Sequence, residues 1–462
     1  MIRGLTARQV LLVTFETILI VFAVAVAAYV RWGLAGWDLL FNNYGISKVL
    51  LLAGVTQTSL YLADLYDFRV VADRRELFIR ILQALGTASF VLAVIYFWFP
   101  DTMVGRGIFM IAAVLVITFV SSWRLLFGWL DARLAPRERL LLVGTNDGAV
   151  TLARELHERR QELGVSIVGF VDVDPARVGQ PVVNPGVIGT VDDIPMIVRA
   201  RSVDRVVVSL SDARGKLPMN RLLEMKLGAG VTFDHLASVY EEYTGKIAVE
   251  NLRPSWLIFN EGFQHSKTVH FFKRLLDIVC GSLMLLILSP VMLVVAVLVR
   301  LTSPGPALYH QKRVGLNGQV FYVHKFRSMR TDAESGTGAV WAKANDSRVT
   351  PIGQFLRRAR LDEIPQLWNV LRGDMSLVGP RPERPEFVAD LTEKIPFYGF
   401  RHVVRPGLTG WAQVRYTYGA SVEDALEKLQ YDLFYVKHLS ILFDLFVLFS
   451  TVKTVVLRRG GQ

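Results

Sequence analysis

The sequence predicts a multi-domain membrane protein. It would contain a block of four transmembrane helices, a doubly wound, Rossmann-like α/β middle domain, a fifth membrane segment interrupted by proline, and a small mainly α (α+β) C-terminal domain. Three observations carry this. Mean hydropathy is +0.35 with 52% hydrophobic residues, too apolar for an ordinary soluble chain of 462 residues. Four long apolar stretches crowd into the N-terminal region, and strand and helix patterns then alternate from Arg139 onward. A length of this order allows about three folded units. Net charge +11 and a pI near 9.7 suit either nucleic acid or an anionic membrane surface. Because many basic residues flank apolar segments, membrane is expected and nucleic acid is not. The single cysteine, Cys280, excludes an intrachain disulfide and leaves the redox compartment open.

The apolar stretches are Val10–Val30, Ile46–Tyr66, Leu77–Phe99 and Gly107–Leu130. Each reaches the roughly 20 residues a helix needs to cross a bilayer. No cleavage-site pattern follows the first, so a removed leader is not expected. Arg3 and Arg8 precede the first stretch; Arg69, Arg74 and Arg75 lie in the second connection; Arg133, Arg137 and Arg139 follow the fourth. The other two connections are poorer in basic residues, with Arg31 and Lys48 at one and Arg106 at the other. By the positive-inside rule, the N-terminus and the chain after the fourth helix are cytoplasmic. Glu16 and Arg124 fall inside spans, where they either pair with neighbouring helices or mark a functional path.

Arg139–Val143 reads as a buried strand ending in Gly144-Thr-Asn-Asp-Gly148, followed by a helix, the strand Val165–Val171 and the strand Arg205–Leu210. Asp172 and Asp174 stand where an acid would meet a ribose. The glycine fingerprint is incomplete, because Asn146 occupies its middle position. A structural or regulatory use is therefore favoured over dinucleotide binding. Leu275–Leu301 is as apolar as the first four stretches but carries Ser289-Pro290 at its centre, where proline removes a helical hydrogen bond. Lys267, Lys273 and Arg274 precede it, while Arg300, Lys312 and Arg313 follow. Basic residues on both flanks suit a helix that turns at Pro290 and exits on its side of entry. A kinked full span is the alternative.

Residues 357–382 read RRARLDEIPQLWNVLRGDMSLVGPRP. Arginines beside the adjacent carboxylates Asp362 and Glu363 suit chemistry on phosphates: guanidiniums neutralise phosphoryl oxygens, and a carboxylate can hold a metal or act as nucleophile. Other compact motifs are Lys325-Phe-Arg327-Ser-Met329, Arg405-Pro-Gly-Leu-Thr-Gly-Trp-Ala-Gln413-Val and Tyr431-Asp432-Leu-Phe-Tyr435-Val-Lys437. The tail 439–457 suits an interfacial helix with Arg458 and Arg459 at the headgroups, since Asp444 and Lys453 weaken a spanning reading.

On these motifs, with KRLLD at 273–277 and LSP at 288–290, residues 272–462 resemble the bacterial sugar transferases, polyprenyl-phosphate hexose-1-phosphate transferases that initiate cell-surface glycan synthesis. The layout resembles the large exopolysaccharide- or O-antigen-initiating form. The resemblance implies a re-entrant membrane helix at Ser289-Pro290 and a catalytic domain facing the cytoplasm of the bacterial inner membrane. Expected boundaries are 1–132 for the membrane block, 133–265 for the α/β domain, 266–302 for the re-entrant helix and 303–462 for the catalytic domain. It implies transfer of hexose-1-phosphate from a UDP-sugar to undecaprenyl phosphate with release of UMP, through an aspartyl-phosphosugar. Asp362 would be nucleophile, Glu363 a second carboxylate, and both Mg²⁺ ligands. Arg357, Arg381, Lys325, Arg327 and Gln413 would bind substrate phosphates. A homodimer is plausible on the same ground. After Gln413 the chain reads Val-Arg-Tyr-Thr-Tyr-Gly-Ala-Ser421, not the Gly-Arg-Asn of some smaller members, so no sugar identity carries over. The competing readings are a hexosyltransferase releasing UDP, a membrane-bound nucleotide-sensing protein, and a scaffold for a glycan assembly complex.

Overall fold

The structure is a computed structural model and describes residues 7–36, 44–63, 65–66, 74–134, 137–209, 219–228, 230–251, 262–263, 266–331, 333, 346, 348–416, 419 and 421–456. Arg3, Arg69, Leu210, Arg458 and Arg459 lie outside these, as do the side chains of Arg8, Arg74, Arg75, Arg133 and Lys453. The chain divides into two compact units, Leu5–Leu236 and Ala237–Gln462.

The first unit opens with helices α1 (Ala7–Trp32), α2 (Gly45–Leu62), α3 (Arg74–Trp98) and α4 (Arg106–Leu134). All four expected stretches are thus helical. α1, α3 and α4 are long and apolar enough to cross a membrane. At 18 residues α2 is shorter than expected, about 27 Å at 1.5 Å per residue. Small and branched residues such as Ala23, Ala27, Ala53, Ala84 and Ala112 form the buried seam, while Phe22, Phe90, Phe97 and Met110 face outward. Glu16 and Arg124 meet inside it. Arg124 Nε lies 2.7 Å from Glu16 Oε1, and the Tyr66 hydroxyl donates to Oε2 at 2.5 Å. Satisfied on several sides, this is a helix-to-helix tie, the arrangement a charge inside a membrane requires.

A five-stranded parallel sheet follows in the order β3-β2-β1-β4-β5 (β1 Glu138–Val143, β2 Val165–Asp172, β3 Val187–Thr190, β4 Arg205–Val208, β5 Thr232–His235). It is accompanied by α5 (Asp147–Glu158), α6 (Arg160–Leu163), α7 (Ile194–Arg201) and α8 (Met219–Gly228). This is the doubly wound pattern expected from the alternation. In the β1–α5 loop, Asn146 accepts from Ala149 N at 3.0 Å as helix cap, and Ser209 Oγ donates to Asn146 Oδ1 at 2.6 Å. A side chain thus fills the place a glycine would leave open. Asp172 accepts from the Thr145 hydroxyl at 2.5 Å and from Asp174 N at 3.1 Å. Asp174 caps a 3-10 turn through Ala176 N.

The second unit begins earlier than residue 266. Helix α9 (Leu236–Thr244) starts where β5 ends, and Ile247 and Val249 are buried in this unit's core. Then comes α10, Lys267–Thr302, a single helix of 36 residues. The expected break at Ser289-Pro290 is not a helix end. Pro290 has no N–H for the carbonyl of Leu286, and the Ser289 hydroxyl donates to that carbonyl at 2.8 Å instead. The helix presents one stripe to the unit along its length: Lys273, Asp277, Gly281, Leu285, Leu288, Met292, Val295 and Val299. Steps of three and four residues keep these on one face. Phe271, Leu275, Ile278, Leu286, Ile287, Leu293, Val294, Val297 and Leu301 cover the other face and are exposed.

The remainder is an antiparallel hairpin of β6 (Leu308–Val314) and β7 (Val320–Phe326), helices α11 (Pro351–Arg358) and α12 (Gln366–Arg372), the parallel pair β8 (Ser376–Val378) and β9 (Gly407–Thr409), and helices α13 (Pro385–Lys394), α14 (Trp411–Arg415), α15 (Val422–Lys437) and α16 (Ile441–Val456). β8 and β9 pass so closely that a Cβ on Gly407 would lie 2.1 Å from Gly379 N. Only glycine permits that approach. Asp444, which weakened a spanning reading of α16, is 1% exposed and accepts from Lys273 Nζ at 2.6 Å and the Tyr435 hydroxyl at 2.7 Å. Lys273 also donates to Val378 O, so α10, α15, α16 and β8 meet at one buried node.

Candidate active site

Asp362 and Glu363 sit in a 3-10 turn, Leu361–Glu363, between α11 and α12. Arg360 enters the turn at φ 57°, a left-handed conformation rare for residues with a side chain, and so ends α11 sharply. α12 is fixed from its buried face. The Asn369 side chain accepts from His324 N at 3.1 Å and donates to Tyr322 O at 2.7 Å, standing in for a neighbouring strand along β7. That pairing brings Lys325, near the end of β7, to the carboxylates. Lys325 Nζ donates to Glu363 Oε1 at 2.9 Å.

From the other side, β8 runs through Gly379 and Pro380 to Arg381, whose Nη2 donates to the same oxygen at 2.6 Å. Arg360 stands 4.0 Å from Glu363 Oε2. Arg313, half-buried on β6, steadies the loop by donating to Pro382 O at 3.0 Å while pairing with Glu383 at 3.4 Å. Burial alone would raise the Glu363 carboxyl, but Arg381 and Lys325 outweigh it and hold the group well below the carboxylate range.

Asp362 behaves oppositely. It is 8% exposed, and no hydrogen bond to its carboxylate is made by the described residues. Burial first, and the Glu363 charge second, raise its pKa against Lys325, Arg357 and Arg381. Two adjacent acids are thus separated in role: one saturated with cations, the other buried and unengaged. Perturbed groups in such an arrangement mark functional sites.

Linkage gives this contrast a sign. A carboxyl depressed in the folded state stabilises the fold above its ordinary value, here 4.5, and that gain is lost as the pH falls below it. The Tm should therefore decline in acid below about pH 4.5, and decline less steeply in Glu363→Gln. Equal slopes in melts from pH 3 to 7 would deny the cation cluster a stabilising role.

The structure thus assembles Asp362, Glu363, Lys325 and Arg381, and brings Arg357 close enough for its charge to reach Asp362. Arg357 Nε donates to the Ser328 hydroxyl at 2.9 Å. Arg327 must be corrected. The residue is 6% exposed, and its guanidinium donates to Pro304 O at 2.6 Å and Ser303 O at 2.8 Å, capping the end of α10. A glycine at 305 makes room for it. Arg327 belongs to the scaffold. Gln413, in α14, makes no hydrogen bond to the carboxylate pair; its Oε1 is buried without a hydrogen-bond partner among the described residues. Sequence reasoning missed Arg313 and Arg401. Arg401 donates to Arg381 O at 3.0 Å and pairs with Asp432 at 2.7 Å. The Tyr431-Asp432 motif was the available signal for the second.

Among the described residues no cluster of three metal-ligating side chains forms. A hard cation held by one or two carboxylates plus substrate oxygens fits this donor set, with Asp362 unengaged and Glu363 already bound by cations through one oxygen.

A family model described as bacterial sugar transferase matches residues 268–458, and one described as CoA-binding domain matches residues 61–223. The chain is 39% identical over 259 residues to the UDP-N-acetylgalactosamine-undecaprenyl-phosphate N-acetylgalactosaminephosphotransferase of Aeromonas hydrophila, covering 56% of this chain and 60% of that protein. It is 32% identical over 359 residues to the UDP-glucose:undecaprenyl-phosphate glucose-1-phosphate transferase of Xanthomonas campestris pv. campestris (74% and 72%). It is 34% identical over 344 residues to the protein of that activity from Escherichia coli K12 (72% and 70%). The match to the Aeromonas protein thus leaves two fifths of that relative unpaired. Two relatives above 30% identity, aligned over more than two thirds of their length, with the family model matching residues 268–458, place this chain in the bacterial sugar transferase family.

Proposed function

We propose that this protein transfers a hexose-1-phosphate from a UDP-sugar to undecaprenyl phosphate and releases UMP, as the initiating step of exopolysaccharide, O-antigen or capsule synthesis. The observation that carries the reading is Asp362: a buried carboxylate without a hydrogen-bond partner among the described residues, beside an acid clamped by Lys325 and Arg381. An Asp362 oxygen attacks the sugar-bearing β-phosphorus. The bond from that phosphorus to the bridging oxygen breaks, and UMP leaves with the electron pair. An oxygen of the lipid phosphate then attacks the phosphorus of the aspartyl-phosphosugar, forming the lipid diphosphosugar and returning the Asp362 carboxylate. Passing through an enzyme ester lets two anionic substrates use the site in turn instead of repelling one another. Lys325, Arg357 and Arg381 supply the positive charge that phosphoryl transfer requires. Glu363 is the counter-charge that holds Lys325 and Arg381 in place. Mg²⁺, held by Asp362 and Glu363 with substrate oxygens, would add charge neutralisation at the phosphates.

The fifth apolar helix supports a re-entrant or in-plane placement. Its inner stripe, from Lys273 to Val299, packs on the same folded unit. A helix of about 54 Å fastened at both ends to one domain supports the reading that both ends lie on one side of the bilayer. The exposed apolar face then enters the lipid, and the catalytic pair sits near the headgroups on the cytoplasmic side of the inner membrane. The polyprenyl tail can stay in hydrocarbon, avoiding about 0.8 kcal/mol per CH₂ exposed.

Incubating the purified protein with a panel of UDP-sugars and undecaprenyl phosphate tests the reaction class. UMP as the nucleotide product supports it. UDP would instead indicate a hexosyltransferase, and no turnover with any sugar would favour the scaffold reading.

A further inference from the structure

The segment from α9 to Asn251 lies outside the residues matched by the sugar transferase model, yet it is built into the catalytic unit. Tyr240 OH donates to Gln430 Oε1 at 3.3 Å, and Ile247 N donates to Gln430 O at 3.1 Å. Trp411 Nε1, in the RPGLTGWAQV motif, donates to Gly245 O at 2.9 Å. Lys246 pairs with Glu427 at 2.5 Å. The tightest contact is Glu241, only 6% exposed, whose carboxylate accepts from Lys437 Nζ at 2.8 Å and lies 2.5 Å from His438 Nε2. All of these hold α15 or the Trp411 turn beside it.

Helix α15 also carries Asp432. Its carboxylate pairs with Arg401 at 2.7 Å, Arg401 donates to Arg381 O at 3.0 Å, and Arg381 donates to Glu363 at 2.6 Å. Each link is a charged or backbone contact within one packed unit. A displaced α15 therefore moves the support behind the arginine that faces the carboxylates.

We propose that Glu241 is a positioning residue for the transfer, and that residues 236–251 form a strap fixing α15, and through Asp432 and Arg401 the Arg381 loop, in working register. The inference rests on the reading of Arg381 and Glu363 as part of the active site. It makes this segment, directly joined to the last strand of the α/β domain, an input to catalysis from outside the matched sugar transferase region.

The test uses the full-length membrane-bound protein with the UDP-sugar it turns over. Glu241→Gln keeps the volume and one acceptor but removes the charge. The expected result is a kcat for UMP release lowered about fivefold or more, the order expected when a phosphate-holding group shifts by less than an ångström. KM for the UDP-sugar should stay near wild type, and the melting transition should fall modestly, because Lys437 loses its buried counter-charge, with the variant still folded at the assay temperature. Amide exchange should rise at residues 379–383 and not in β6–β7. His438→Gln, which removes one partner at the more exposed end, should give the same pattern more weakly and stands in if Glu241→Gln does not fold. Wild-type kcat and wild-type exchange at 379–383 in a folded variant would overturn the proposal. So would a kcat falling only in step with a general loss of stability and exchange protection. If no UDP-sugar releases UMP even in wild type, the functional reading fails, while the exchange measurement still decides whether the strap governs the Arg381 loop.

Discussion

Replacing Asp362 with asparagine should reduce sugar-phosphate transfer by at least about 10³-fold, roughly 4 kcal/mol of barrier, while the protein still inserts in the membrane and melts normally. The amide preserves shape but cannot form the ester. The Asp362 carboxylate makes no hydrogen bond with the described residues, so the fold loses no hydrogen bond when its charge is removed. Burial and the neighbouring Glu363 charge already disfavour the ionised form, and the neutral replacement should, if anything, stabilise the unit. Loss of activity without loss of stability is the pattern of a residue kept for chemistry. UMP release and melting measured on the same preparation check it. Retained activity would remove the nucleophile.

The second large effect is structural. Lys273 and Asp444 are a buried pair, with side chains 8% and 1% exposed. Lys273→Met should destabilise the catalytic unit by about 3–5 kcal/mol, because among the described residues Asp444 would keep a buried charge hydrogen-bonded only by the Tyr435 hydroxyl. Adding Asp444→Leu should recover much of the loss, since an apolar pair of similar volume leaves no charge uncompensated. Chemical denaturation of both variants measures this. If the single variant loses as little as the double, the pair does not hold α10 to α16. The node matters beyond stability. Lys273 also donates to Val378 O, at the end of the strand leading through Gly379 and Pro380 to Arg381. The same lysine thus fastens the membrane-facing helix and the start of the phosphate-binding loop.

Much of this was readable from residue order. Apolar length gave the N-terminal helices, and the run of strand and turn signals gave the parallel sheet. The RRARLDE…GPRP segment gave the carboxylate pair with Arg381, because charges converging on one short stretch leave few alternatives. What stayed hidden depends on where a side chain's donors go. Arg327 stands two residues from Lys325 in one motif, yet it turns back to cap α10 while Lys325 reaches Glu363. Strand alternation places both on one face, and only packing separates them. Ser289-Pro290 reads as a break because proline's missing donor is visible in sequence, whereas a serine hydroxyl filling the gap is not. In sequence, Asp444 only weakens a spanning reading of an apolar tail. Its partner lies 171 residues earlier in the chain. The α/β domain was assigned to residue 265 because nothing in the composition of 236–251 marks a change of allegiance. Those residues join the second unit through pairings with residues near 411 and 430.

The proposed mechanism contains a covalent step that needs no acceptor. Purified protein incubated with its UDP-sugar alone, without lipid phosphate, should release close to one UMP per active site and then stop. Mass spectrometry of the peptide carrying Asp362 should show the added sugar phosphate, and later addition of undecaprenyl phosphate should discharge it. UMP formation that requires the lipid from the start, with residue 362 unmodified throughout, would contradict the mechanism and indicate direct transfer between the two substrates.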